Sequence, residues 1–168
     1  MGMTKLVQIT ASLFMATALF GAPSHAETMP PNSQALMAYQ AKNFREAMRI
    51  YRPLAEKGDA EAQYYVGRMY EKGEGVRKDE REVVKWYHRS AEGGYAAAQY
   101  RLAVGYAFGL AGLSRNQDEA AKWLHKAAEG GHKKAQRYLG RAYAEGRFGL
   151  PTDRKRAEYW SQRAETGS

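Results

Sequence analysis

The chain has 168 residues, of which 44% are hydrophobic and 26% charged, with a formal net charge of +8 and no cysteine. That is enough chain for one domain with its own core. The lack of cysteine excludes disulfide staples, thiolate zinc sites and a lipid-modified cysteine behind a leader.

Met1 to Lys5 gives a short positive start. Leu6 to Phe20 is mostly apolar but broken by Gln8, Thr10, Ser12 and Thr17, and Ser24-His25-Ala26 has the small-x-small form of a signal-peptidase site. Residues 1–26 therefore read as a Sec-type export leader, too short and interrupted to span a membrane. The mature chain would begin at Glu27 with a charge of +7, periplasmic or secreted, with no stable membrane insertion and no nucleic-acid partner. Residues 27–32, ETMPPN, read as a flexible tether to a single domain over 33–168.

Residues 33–58 read as a short helical hairpin. Ser33 is the expected N-cap of a helix through Lys42, Asn43 and Phe44 make the turn, and the second helix runs from Arg45 to Lys57. Pro53 falls inside that second helix, where a kink or break is expected. Ala47, Ile50 and Gly58 match Val83, Trp86 and Gly94 at an offset of 36 residues, which makes the segment a degenerate capping unit.

From residue 59 the sequence repeats, in units 59–94, 95–131 and 132–168. The opening alanine of Ala62-Gln63 recurs at Ala98 and Ala135, Tyr70 at Tyr106 and Tyr143, Gly73 at Gly109 and Gly146, and Trp86 at Trp123 and Trp160. A fixed period in this range marks a solenoid, in which no unit buries its apolar face alone. In the first helix of a unit Ala62, Val66, Met69, Tyr70 and Gly73 share one face. Gly67, Ala103 and Gly140 leave room for a neighbouring helix, and Gly73 suits a left-handed C-cap. Asp79 with Glu82, and Asn116 with Glu119, read as capping boxes for the second helices; Asp153 keeps the cap but has Arg156 in place of the glutamate. Val83, Trp86, Tyr87, Ser90 and Ala91 form the buried stripe of the second helix. The expected architecture is all-α: eight helices in four antiparallel pairs, stacked as a right-handed α-solenoid.

The pattern A-Q-x-x-[LV]-[GA]-x-x-Y-x-x-G, a loop ending in Val or Leu, then W-x-x-x-[SA]-[AE]-x-G, resembles the Sel-one-like repeat, a relative of the tetratricopeptide repeats. The resemblance covers roughly Ala60 to Gly167. It implies a solenoid that works through protein contacts, and it names no partner. Cysteine-rich members of the family are linked to β-lactam binding or hydrolysis. No serine-x-x-lysine motif supports carrying that over to this chain.

Little else suggests chemistry. His88 and His125 each stand two residues after a tryptophan and read as exposed on the outer side of the second helices, with Gln162 in the third place; His132 reads as turn surface. No metal, cofactor or catalytic residue is expected. The face of the first helices opposite the core stripe is more informative. It carries Tyr64, Arg68 and Glu71, then Tyr100, Val104 and Ala107, then Arg137, Arg141 and Ala144, in each case at i, i+4 and i+7. Stacking would join Tyr64, Arg68, Tyr100, Val104, Arg137 and Arg141 into one exposed concave groove for a protein or peptide partner. From Lys133 onward nine Lys or Arg stand against four Asp or Glu, which favours an acidic partner. The same basic end would also suit peptidoglycan or another anionic envelope polymer. Ser161 and Glu165 replace Tyr87 and Ala91 of the first full unit, as expected of a water-facing last repeat in a monomer.

Overall fold

A computed structural model describes residues 29–167. The expected leader, residues 1–26, lies outside the described residues, as do residues 27, 28 and 168. The described chain forms eight helices and no strand: α1 (Pro31–Gln40), α2 (Phe44–Glu56), α3 (Ala60–Lys72), α4 (Glu80–Glu92), α5 (Ala96–Phe108), α6 (Gln117–Glu129), α7 (Lys133–Glu145) and α8 (Arg154–Thr166). Each helix packs on its neighbours in sequence, pairing as α1–α2, α3–α4, α5–α6 and α7–α8. This is the expected all-α solenoid. No helix among the described residues is long and apolar enough to cross a membrane.

The repeated residues explain the repeated form. Gly73, Gly109 and Gly146 end the odd helices with φ of 74°, 69° and 67°, the left-handed conformation that other side chains avoid. Gly67 allows α3 and α4 to approach closely, since a Cβ there would lie 2.8 Å from the Tyr87 ring. Trp123 and Trp160 are buried in one cluster with Val83, Leu102, Leu139 and Tyr143, and Trp86 in another with Tyr51, Val66 and Met69.

Buried glutamines join one hairpin to the next. Gln63, Gln99 and Gln136 each donate from Nε2 to the carbonyl eight residues earlier: Ala55 at 3.0 Å, Ala91 at 3.0 Å and Ala128 at 3.1 Å. Those carbonyls belong to the last turn of the preceding even helix, where each also accepts from the glycine amide three residues on, of Gly58, Gly94 or Gly131, at 3.1 Å.

Several local expectations are corrected. Helix α1 begins at Pro31, not at a Ser33 cap, so the last two residues of the expected tether are helical. Proline suits a first turn because its missing N–H has no role there. Asn32 also donates to Asp59 Oδ2 at 2.8 Å, which ties the start of α1 to the cap of α3. Pro53 does not break α2, which is continuous to Glu56. The proline stands in the last turn, so little helix remains to be disrupted.

The caps hold, but the capping boxes do not close. Asp79 Oδ1 accepts from the Arg81 and Glu82 amides, and Asn116 Oδ1 from the Glu119 amide. The glutamates turn forward instead, with Glu82 accepting from Trp86 Nε1 at 2.7 Å and Glu119 from Trp123 Nε1 at 2.9 Å. A buried indole N–H without a partner costs more than an N-cap amide that water can reach.

Ser161 and Glu165 are exposed. Ser161 nonetheless lies against Gly140 of its own hairpin and donates to the Ala157 carbonyl at 2.8 Å. The equivalent Tyr87 likewise lies over Gly67 of its own hairpin. This position therefore packs within a unit, not only against the next one as the sequence suggested.

Replacing Trp123 with alanine removes a buried indole in an interior hairpin. Stability should fall by about 3–5 kcal/mol, measured by urea unfolding followed by circular dichroism. A loss below about 1 kcal/mol would show that the indole is not part of the core.

Candidate functional site

The odd helices α3, α5 and α7 bring most of the sequence-predicted residues together, but not all as expected. Tyr64 is buried, with its ring centroid 5.8 Å from Tyr87 and 5.1 Å from Tyr95. Tyr95 comes from the turn before α5 and closes over a position that the helical period alone leaves open. Arg68 is half-buried, its guanidinium 5.4 Å from the centre of the Tyr39 ring and 5.8 Å from that of Tyr64. Glu71 accepts from the Tyr87 hydroxyl at 2.7 Å and pairs with Arg101 at 3.6 Å. Ala107 is buried and Ala144 exposed. At its N-terminal end, therefore, this face is filled by packed tyrosines.

Farther along the face opens. Tyr100, Arg137 and Arg141 line a hollow of about 380 Å³ together with Lys134 and Tyr138. A neighbouring hollow of about 420 Å³ shares Tyr100 and Lys134, and Tyr64, Arg101, Val104, His132 and Lys133 also line it. Tyr100 stacks on His132 with ring centroids 4.5 Å apart, which fixes the wall between the two.

The charge is one-sided. Arg101, Lys133, Lys134, Arg137 and Arg141 line these hollows, and no carboxylate does. Arg141 reaches Glu145 only at 3.9 Å, while Arg147 pairs with the same carboxylate more closely. Lys134 and Arg137 form no ion pair among the described residues. Sequence reasoning missed Lys134 and Tyr138. Their signal was helical spacing, since Lys134, Tyr138 and Arg141 stand at i, i+4 and i+7 of α7. Among the described residues no group of three or more His, Cys, Asp or Glu gathers to hold a metal ion.

The profile of the Sel1 repeat matches residues 32–59, 60–95, 96–132 and 133–166. The chain belongs to the Sel1 repeat family. The first match covers the hairpin expected as a degenerate cap. Among solved structures, the chain is similar to a Sel1 repeat protein from Oxalobacter formigenes, at 34% identity and a TM-score of 0.76, over 83% of this chain and 55% of that one. It is also similar to c5321, a protective antigen present in uropathogenic Escherichia coli strains displaying an SLR fold, at 31% identity and a TM-score of 0.70, over 82% of this chain and 30% of that one. The chain thus spans about half the length of the first relative and less of the second. A search of curated proteins gives no match.

The Sel1 hairpins meet at a second repeated joint, which corrects the reading of the histidines. His88 is half-buried, its Nε2 3.1 Å from the Tyr106 hydroxyl and its ring edge-on to Trp123 at 6.0 Å. His125 repeats this with Tyr143 at 3.0 Å and Trp160 at 6.3 Å. Arg52 takes the same place one hairpin earlier, donating to the Tyr70 hydroxyl at 3.2 Å. The following hairpin folds over that side of each even helix, so these side chains lie in joints and not on an open outer surface.

Burial lowers the His125 pKa below its ordinary 6.5, with Glu129 opposing and the Arg156 charge adding to the fall. The unfolded chain therefore takes up this proton first as the pH drops, and acid favours unfolding. Stability to urea should decrease as pH falls through about 6.5 toward 5, and His125→Gln should flatten that decrease. An unchanged slope in the variant would show that His125 is not the group responsible.

Proposed function

We propose that this chain is a non-catalytic scaffold of the cell envelope that holds an acidic protein segment on the concave face of its last two hairpins. Sel1 repeat proteins mediate protein–protein interaction, which gives the class of function. The finer reading rests on one observation: two adjoining hollows share Tyr100, are lined by five cations, and carry no carboxylate. Tyrosine gives broad, rigid contact at little entropic cost, and arginine can grip a carboxylate through two parallel hydrogen bonds. With the leader read in the sequence, the scaffold works outside the cytoplasm, and it does so as a monomer.

The basic lining also favours a second reading, in which the ligand is an anionic envelope polymer. Immobilised protein incubated with an envelope extract separates the two. The wild type should retain a defined protein, and Arg137→Ala combined with Arg141→Ala should weaken that binding at least tenfold, on the scale of about 1.5 kcal/mol for a charge-assisted hydrogen bond. Both side chains are exposed, so the fold should be unchanged. Sedimentation with purified cell wall, with no protein retained, would instead favour the polymer.

A further inference from the structure

Next to the cationic hollows runs a crease of opposite character. Ala103, Val104, Ala107, Phe108, Tyr138 and Phe148 are among its lining residues, and none of its lining is charged. Phe108 is 56% and Tyr138 44% exposed, two of the five large apolar side chains left exposed among the described residues. A third, Leu110, lines the adjoining cleft with Val104. Three of the five thus gather around Val104, at the edge of the basic hollow. Single exposed apolar residues need no explanation, but a cluster does. The crease is shallow, with a volume of about 10 Å³. That is room at its floor for about one methyl group, so an aromatic ring would not enter it. A branched aliphatic side chain could place a methyl there and lie across the Phe108 and Tyr138 rings.

Tyr138 lines both the crease and the cationic hollow. Its neighbours Lys134 and Arg141 lie one helical turn to either side on α7, about 5–6 Å between Cβ atoms. An extended chain advances about 3.3 Å per residue and returns to the same side every second residue. The crease and the cations therefore match side chains two residues apart on one edge of an extended segment.

We propose that the groove reads a two-part signal: a Leu, Ile or Val set in the crease, with Asp or Glu two residues away held by Lys134, Arg137 and Arg141. This inference rests on the protein-binding reading above and adds the sequence pattern of the partner. It also explains why one surface carries exposed rings beside Lys134 and Arg137, which form no ion pair among the described residues. The apolar contact supplies hydrophobic burial, and the cations set register and exclude basic segments.

The test is selection of a random twelve-residue peptide display library on the immobilised full chain, followed by affinity measurement on a synthetic peptide from the enriched pool. The pool should converge on an aliphatic residue with carboxylates two positions away. Changing the aliphatic residue to serine, or the carboxylates to glutamine, should each weaken binding by about tenfold or more. Tyr138→Ser should remove the response to the aliphatic change, and Arg137→Ala should reduce the response to the carboxylates. Circular dichroism checks that both variants are folded. If acidic residues alone suffice and serine is tolerated, the two-part inference fails while the acidic-partner reading stands. If the pool lacks acidic residues, or nothing is enriched, both fail.

Discussion

Each hairpin is fastened to the one before it by a buried glutamine. The amides of Gln63, Gln99 and Gln136 close the carbonyl ends of α2, α4 and α6. The amide oxygens of these side chains are buried without a hydrogen-bond partner, and losing the Nε2 bond as well would cost about 1–3 kcal/mol, so every junction favours one register over its neighbours. The joints of Arg52, His88 and His125 with the following tyrosine hydroxyls add a second point of contact at each junction. Two fixed points per junction hold the odd helices side by side, and that alignment is what lets residues from different repeats form one surface. The extra loop residue of the later repeats is absorbed without shifting this register. The Asn116 and Asp153 amides return to the Tyr106 and Tyr143 carbonyls, so both loops close in the same way.

The surface so produced is not uniform. Over α3 it is closed by Tyr64, Tyr87 and Tyr95, with the Arg68 guanidinium laid against tyrosine rings. Over α5 His132 stacks on Tyr100 in the place that Tyr95 takes over Tyr64, and beyond it Lys134, Arg137 and Arg141 line the opening. The N-terminal end of the face is thus packed with rings, and its C-terminal end is left open. Tyr64 packed among rings and Arg137 exposed with no ion pair among the described residues are two uses of the same repeat position.

Most of the fold was legible because the repeat restates each signal. Tryptophan, tyrosine, glycine and cap residues recur at fixed offsets, and each has one plain structural use. Where the sequence misled, the missing information was what covers a given face. The helical period correctly sets Tyr64 opposite the core stripe, yet Tyr95 arrives from the next connection to bury it. The same period points His88 and His125 away from their own hairpin, and into the next. Glu82 and Glu119 had two donors within reach, and the deciding factor was burial of the indole N–H, which sequence does not display. Gln63 looked like a motif letter until the end of α2 stood beside it. Spacing pointed to Tyr100, Val104, Arg137 and Arg141, which line the two hollows, and passed over Lys134 and Tyr138 on α7.

The proposed working surface is the face of α5 and α7. A photo-crosslinking amino acid placed in turn at position 137 on that face, and at exposed Arg89 on α4, tests it in the producing cell. The account predicts a discrete protein adduct from position 137 and none from position 89. An adduct at position 89 with none at position 137 would contradict it.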